Sequence, residues 1–138
     1  MPDYPERFIK GIPHNNLIND DGIADQQLFA FIDRGEREDD WIEQSINWQD
    51  NEEVINFTLN QTRKGEIHYK AGVALVLTEE LERLKRRPQY MGKIDYERNM
   101  TEDNPYHGNL LIIRTLSKPT KNAISAHLAI LSEIVSRT

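Results

Sequence analysis

The clearest pattern of hydrophobic and polar positions is the alternation in "WIEQSINW", residues 41–48. Odd-numbered side chains fall on one face of an extended strand, and even-numbered side chains, which include two isoleucines, fall on the other. The short apolar run "QQLFAFI", residues 26–32, predicts a preceding strand, and we expect these two strands to form a hairpin. Residues 1–26 are rich in Pro, Asn, Asp and Gly, and they predict a loop-rich N-terminal segment.

Three more strands and three helices are predicted along the rest of the chain. The strands are 66–77, 91–98 at a sheet edge, and 109–115 in a buried position. The helices are one capped by Asp50 or Asn51 and continuing through 62, one capped by Thr78 over 79–87, and one from Ser117, its possible cap, to about residue 136. The last helix carries an apolar stripe, so we expect it to pack lengthwise on the sheet.

This order of elements predicts an α+β fold. The expected architecture is a single domain spanning residues 1–138, with a mixed or antiparallel sheet of about five strands and about three helices, mainly on one face. A chain of 138 residues with 38% hydrophobic residues is long enough to bury a real core.

Composition excludes several classes of chemistry. The chain has no cysteine, which removes disulfides, thiolate catalysis and cysteine-based zinc sites. The N-terminal "MPDYPERFIKGIP" has no apolar core, so we expect no signal peptide. The longest apolar runs are also too short to span a bilayer. We therefore expect a soluble, cytoplasmic protein without membrane contact.

Charge and motif content narrow the choice of partners. The formal net charge is −6, and the single basic cluster, "RLKRRP" at 83–88, ends a predicted helix where the dipole favours cations. Nucleic acid is therefore not the expected partner. The chain lacks a phosphate-binding glycine loop, a dinucleotide fingerprint, a nucleophile elbow and any recognised spacing of metal ligands. We accordingly predict no cofactor and no metal.

One face of the strand at 41–48 is the first candidate site. Glu43, Ser45 and Asn47 point the same way, so a carboxylate, a hydroxyl and an amide can converge on one ligand. Trp41 shares this face and Trp48 lies just beyond it, and tryptophan is a frequent anchor of recognition surfaces. The alternative interpretation is the solvent-facing side of a half-exposed strand, which alternation alone predicts.

The turn "NPYHG", residues 104–108, is the second candidate. His107 is a candidate general acid or base, and Tyr106 beside it is a candidate binding residue. In the alternative interpretation, the imidazole hydrogen-bonds the loop backbone and braces the entry into a buried strand. The sequence does not decide between the two.

Five segments taken in order, "RFIKGIP", "LFAFIDRGER", "EQSINW", "YKAGVALV" and "NPYHGNLLI", resemble those of a loose set of small bacterial proteins of no established activity. Members carry an early Ser-Ile/Val-Asn-Trp-like segment and a late turn that contains histidine. The resemblance implies a bacterial single-domain protein in which Ser45-Ile46-Asn47-Trp48 and His107 are the marked positions.

Two hypotheses for function lead, and a third is nucleic-acid binding through the basic cluster with nearby Lys93 and Arg98. The first is an accessory or adaptor domain that binds another protein, based on the missing catalytic motifs and on Trp41 and Trp48. The second is a small hydrolase or nuclease in which His107 is the acid or base and the face of Glu43, Ser45 and Asn47 positions the substrate. The second requires the loop 99–108 to lie over that face. Homo-oligomerisation is left open.

Overall fold

Eight strands and three α-helices form within the part of the chain that the computed structural model describes, residues 4–35 and 37–137. The strands are β1 Arg7–Ile12, β2 Trp41–Trp48, β3 Thr62–Arg63, β4 Glu66–Ile67, β5 Gly72–Leu77, β6 Ile94–Arg98, β7 His107–Ile113 and β8 Glu133–Ser136. The helices are α1 Glu53–Leu59, α2 Thr78–Lys85 and α3 Lys118–Leu131. The α+β prediction is confirmed.

The main sheet is antiparallel and has the strand order β6-β7-β2-β1-β5-β8. It holds six strands rather than the five predicted, while β3 and β4 form a separate small hairpin. The main sheet contains two strands, β1 and β8, that the sequence did not predict. The sequence predicted a loop-rich N-terminal segment in place of β1 and the end of the last helix in place of β8.

Each face of the sheet carries its own hydrophobic core, because side chains alternate along the central strands. Phe8 and Ala74 belong to the larger core, which α2 and α3 cover, whereas Ile9 and Val73 belong to the smaller core under α1. Two of the three helices thus lie on one face, as expected. The second face is covered only in part, and Ser45 of β2 is exposed on it.

The prediction that residues 1–26 form loops is wrong for β1, and residues 1–3 lie outside the described part of the chain. Burial of β1 on both faces depends on β2 and β5, which lie far away in sequence. Its six residues show neither a regular alternation nor a continuous apolar run, so the local pattern does not identify a strand.

The predicted strand at 26–32 is also wrong, and with it the hairpin. Gln26–Phe29 forms a 3₁₀ turn, and Asp25 caps it by accepting a hydrogen bond from the Gln27 backbone N–H at 2.8 Å. Leu28 and Phe29 are buried against the larger core. A short apolar run fits either a strand or a helical turn, and here Asp25 was the signal for a helical turn.

The later elements follow the prediction more closely. Ser117 caps α3 through the Thr120 backbone N–H at 3.3 Å, as expected. The helix stops at Leu131, however, and β8 takes the residues predicted for its last turn. Ser132, in an extended conformation, separates the two elements. No glycine or proline marks this boundary, which explains the error.

Three smaller boundaries also differ. The predicted strand 66–77 is broken into β4 and β5, α1 ends at Leu59 rather than at residue 62, and Thr78 is the first residue of α2 rather than its cap. The predicted edge strand at 91–98 is confirmed as β6, and the buried strand at 109–115 is confirmed as β7, which begins at His107.

Candidate functional site

The register of β2 against β7 brings the two candidate sites together. Asn47 lies opposite His107, and Ser45 lies opposite Asn109, so their side chains share the partly uncovered face of the sheet. Ser45, Asn47 and His107 line one cavity of about 190 Å³. Glu43 does not line this cavity. The predicted grouping is therefore present for three of its four residues.

Asn47 is held in a buried set of side-chain hydrogen bonds, which we call the Asn47 network: Asn47, Thr58, Gln61 and Asn104. The Asn47 amide donates to Thr58 Oγ1 at 2.7 Å and to Gln61 Oε1 at 2.9 Å. Its carbonyl oxygen accepts from Asn104 Nδ2 at 2.8 Å. Asn47 is buried and its amide is fully used. It fastens α1 and the loop before β7 to the sheet instead of facing a ligand.

His107 braces the same loop. Its Nδ1 lies 2.8 Å from the backbone oxygen of Asn99, and the Asn99 N–H donates to the His107 carbonyl at 2.9 Å. None of the salt bridges formed by residues 4–35 and 37–137 joins His107 to a carboxylate. A general base of the hydrolase hypothesis would need such an orienting group. The contacts thus favour the structural interpretation of this residue.

The two tryptophans do not form an exposed recognition patch. Trp48 is 6% exposed and packs edge-on against Phe8, with ring centroids 5.9 Å apart. Trp41 is half-buried at the start of β2. Tyr106 packs edge-on against Phe57 of α1 at 5.1 Å. The adaptor hypothesis therefore loses Trp48 as a surface anchor.

Glu43 faces an ion-pair cluster on the same side of the sheet. Arg37 donates to Asp39 at 2.7 Å and to Glu97 at 2.8 Å, and its guanidinium lies 3.8 Å from the Glu43 carboxylate. The hydrogen bond from Arg37 lowers the pKa of Glu97, and a second one from Asn109 acts in the same direction. This cluster ties the loop before β2 to the sheet edge at β6.

Next to the Asn47 network, the sheet opens. β1 and β2 pair only at Phe8 with Trp48 and at Ile9 with Asn47, although β1 stays paired to β5 as far as Ile12. Lys10 reaches across the resulting gap, and its Nζ donates to the backbone oxygen of Ser45 at 3.0 Å. The gap continues into a cavity of about 320 Å³, which we call the Lys10 cleft.

The Lys10 cleft combines polar and apolar walls. Its apolar wall includes Leu17, Leu28 and Ile32, and its polar side chains are Lys10, Gln27, Arg34, Glu43, Gln44, Ser45, His68 and Tyr69. The Tyr69 ring rests directly on Gly11, where a Cβ atom would overlap the ring. Glycine at position 11 is therefore required to seat this tyrosine between the two cavities.

The electrostatics of the cleft are dominated by cations. Burial, and to a lesser extent the nearby Arg34, lowers the pKa of Lys10 to about 8. The pKa of His68 is lowered by burial first and then by Arg63, His14 and Lys10. Among the described residues, no carboxylate contributes to the pKa shift of Lys10. The cleft thus places two cations, Lys10 and Arg34, in a cavity that Glu43 also lines.

In the basic cluster at 83–88, by contrast, Arg83 and Lys85 are paired with carboxylates. Arg83 pairs with Glu80 at 2.9 Å, and Lys85 pairs with Asp95 at 3.1 Å. These contacts agree with the structural explanation of the cluster as a solvated helix end. The described residues contain no group of three or more His, Asp or Glu side chains arranged to hold a metal ion.

Sequence reasoning found Ser45 and Glu43 but missed Lys10, Arg34, His68 and Tyr69. One signal was present in "RFIKGI", because Lys10 interrupts an otherwise apolar stretch. A lysine between buried positions of a strand is unusual, because lysine is rarely buried unless it is paired with an opposite charge. Such a position is therefore a candidate functional residue.

Comparisons with known proteins provide no relative from which the role of this site can be transferred, so its geometry is the basis for interpreting it. The chain matches no protein-family model, no curated protein and no solved structure. The resemblance to small bacterial proteins stays a prediction, as does the cytoplasmic location. None of the helices in residues 4–35 and 37–137 has the length and apolar character needed to cross a bilayer.

Proposed function

We propose that this protein binds a small organic anion in the Lys10 cleft. The observation that carries the proposal is a half-buried lysine whose charge is opposed by burial and by a second cation, Arg34, inside a cavity of about 320 Å³. An anion placed there would lower the cost of the buried charge, since an opposite charge favours the protonated amine.

The walls of the cleft indicate the kind of anion. Lys10 and Arg34 suit a carboxylate or phosphate group, while Leu17, Leu28 and Ile32 suit an apolar body. Small-molecule sites commonly combine an apolar lining with a few placed polar groups. An aromatic or aliphatic molecule that carries one anionic group is the class that fits.

Titration with phenyl phosphate, followed in the amide NMR spectrum, tests the proposal. We expect saturable shifts centred on Gly11, Ser45 and Tyr69. Lys10→Met should weaken binding by about tenfold or more, because a charge-assisted hydrogen bond is lost. Arg83→Gln is the matched control, since it removes one positive charge from an ion-paired position on α2.

Two outcomes would contradict the proposal. One is the absence of saturable shifts at the cleft in the wild type. The other is an equal loss of affinity in Lys10→Met and Arg83→Gln, which would show that only the net charge attracts the anion. Phenol, which lacks the anionic group, should produce much weaker shifts in the same residues.

The adaptor hypothesis remains a second candidate, carried by a different surface. Ile23 and Ile130 are 44% and 73% exposed, and both line a shallow groove between α3 and the loop before Gln26–Phe29. Exposed apolar side chains that share a groove are typical of partner contacts. This groove replaces Trp48 as the reason for the hypothesis.

Paired affinity capture tests it. If the groove binds a protein, the wild type should retain a specific partner that Ile130→Asp loses. The matched control is Met91→Asp, a charge introduced at another exposed apolar side chain. Identical capture by all three forms would contradict a role for the groove.

A further inference from the structure

The amine of Lys10 has an environment unlike that of an ordinary surface lysine. The side chain is half-buried and lines an open cavity, its Nζ donates to the backbone oxygen of Ser45 at 3.0 Å, and burial lowers its pKa. Lys70, which lines a neighbouring cavity that also includes His68, is exposed and lies 3.9 Å from the Glu66 carboxylate. The two lysines therefore differ in solvation and in charge partner, although both belong to the same side of the molecule.

We infer that Lys10 is a nucleophilic amine that condenses with the carbonyl group of an aldehyde or ketone whose anionic substituent is held on the Arg34 side of the Lys10 cleft, which leaves the Lys10 amine to the carbonyl carbon. This inference rests on the proposed function for the seating of the anion. Beyond anion binding, the inference specifies the class of ligand, which is a carbonyl compound with an anionic group. It also adds a covalent step.

The step needs no oxidant, reductant or further reactant. The free amine of Lys10 attacks the carbonyl carbon, and proton transfer gives a neutral carbinolamine. The C–O bond then breaks, the oxygen leaves as water, and a C=N bond joins the ligand to Nζ. The reaction is reversible, because water adds back to the imine.

The surroundings of Lys10 favour the free amine that this step requires. Lysine is activated as a nucleophile when it is desolvated or placed beside another cation, and both conditions hold here. With a pKa of about 8, Lys10 has roughly two orders of magnitude more free amine at neutral pH than a lysine of ordinary pKa.

The other titratable groups that line the cleft come from two elements. Glu43, on β2, is directed toward Arg37, at 3.8 Å. His68 and Tyr69 lie on the segment before β5; burial lowers the pKa of His68 and raises that of Tyr69. Both are therefore uncharged near neutral pH. The pH dependence of the reaction should follow Lys10 itself.

Pyridoxal 5′-phosphate with borohydride trapping tests the inference. The aldehyde forms the imine, reduction fixes it as a secondary amine, and peptide mapping gives the rate at each lysine. We expect Lys10 to be modified about tenfold or more faster than Lys70 at neutral pH, because it has far more free amine. Modification of Lys10 no faster than that of Lys70 would overturn the inference.

A second variant retains Lys10 and keeps the test independent of folding. Arg34→Gln removes the neighbouring cation, so the midpoint of the rate against pH at Lys10 should move upward from about 8. Arg83→Gln, with the same charge change, should leave that midpoint where it is. An unmoved midpoint in Arg34→Gln would contradict the assigned environment of the amine.

Pyridoxine 5′-phosphate, which has the phosphate but no aldehyde, separates the inference from the proposed function. If it binds at the cleft and the aldehyde still fails to label Lys10 selectively, the inference fails and anion binding stands. If it does not bind while Lys10 is labelled selectively, the seating of the anion fails and the reactive amine stands.

Discussion

The Asn47 network and the Lys10 cleft lie side by side on β2 but treat buried polar groups in opposite ways. In the Asn47 network, the amide group of Asn47 has a partner for each of its roles: Thr58 and Gln61 accept, and Asn104 donates. In the Lys10 cleft, the charged amine donates to the backbone oxygen of Ser45 and has a second cation, Arg34, nearby. The Asn47 network seals the surface of the sheet, whereas a cavity opens at the Lys10 cleft.

The difference begins with strand pairing. β1 and β2 are joined opposite Asn47 and part immediately afterwards, so the same face of β2 changes from a sealed surface to a cavity wall within two residues. Satisfied buried networks rigidify a fold. A buried charge without a counter-charge costs stability, and such costs concentrate at functional sites.

The largest expected effect is that of Asn47→Ala on the network. The change removes three hydrogen bonds and leaves buried groups of Gln61 and Asn104 without partners, so the free energy of unfolding should fall by about 3 kcal/mol. Urea denaturation measures it. A loss below about 1 kcal/mol would show that the network contributes little to stability, and the contrast with the cleft would fail.

Lys10→Met should act in the opposite direction. Replacing a desolvated cation by an apolar side chain of similar length should raise the free energy of unfolding by about 2 kcal/mol at neutral pH. The pKa of Lys10 in the folded protein, about 8, lies below the unfolded value of 10.5, so between these values the unfolded chain binds more protons. Stability of the wild type should therefore rise with pH across this window, relative to the variant.

Urea denaturation at several pH values measures this difference. The advantage of Lys10→Met should be full below pH 8 and should shrink toward pH 10.5. A variant that is less stable than the wild type at neutral pH would mean that Lys10 stabilises the fold, and the contrast would be wrong.

His107→Ala should have the smallest effect of the three. Loss of the contact between Nδ1 and the Asn99 oxygen should lower the free energy of unfolding by about 1 kcal/mol, as for a typical hydrogen bond. Thermal unfolding beside the wild type measures it. Unchanged or increased stability would remove the bracing role and return His107 to the candidates for function.

The elements that depend on local patterns could be predicted from the sequence. Alternation identified β2, and the combination of Ser117 with Pro119 identified the start of α3. β1 could not be found in this way, because its burial on both faces depends on two strands distant in sequence. β8 was hidden for a related reason, since its pairing with β5 decides the state of an apolar segment that also suits a helix.

The candidate site was predictable to a similar extent. Strand periodicity placed Glu43, Ser45 and Asn47 on one face, and they do share it. It could not show that Asn47 is enclosed by α1 and the loop before β7. Nor could it bring the Lys10 amine to the backbone oxygen of Ser45, because the cleft exists only where β1 and β2 separate. Contacts between segments distant in sequence determine which polar side chains are buried in a hydrogen-bond network and which line a cavity.

Titration of the Lys10 side chain by NMR tests the central claim most directly, first in the free protein and then with saturating phenyl phosphate. The account predicts a pKa of about 8 in the free protein, with a clear upward shift when the anion binds. A pKa near the ordinary value of 10.5 that phenyl phosphate leaves unchanged would contradict it, because Lys10 would then be a solvated lysine and the cleft no site for an anion.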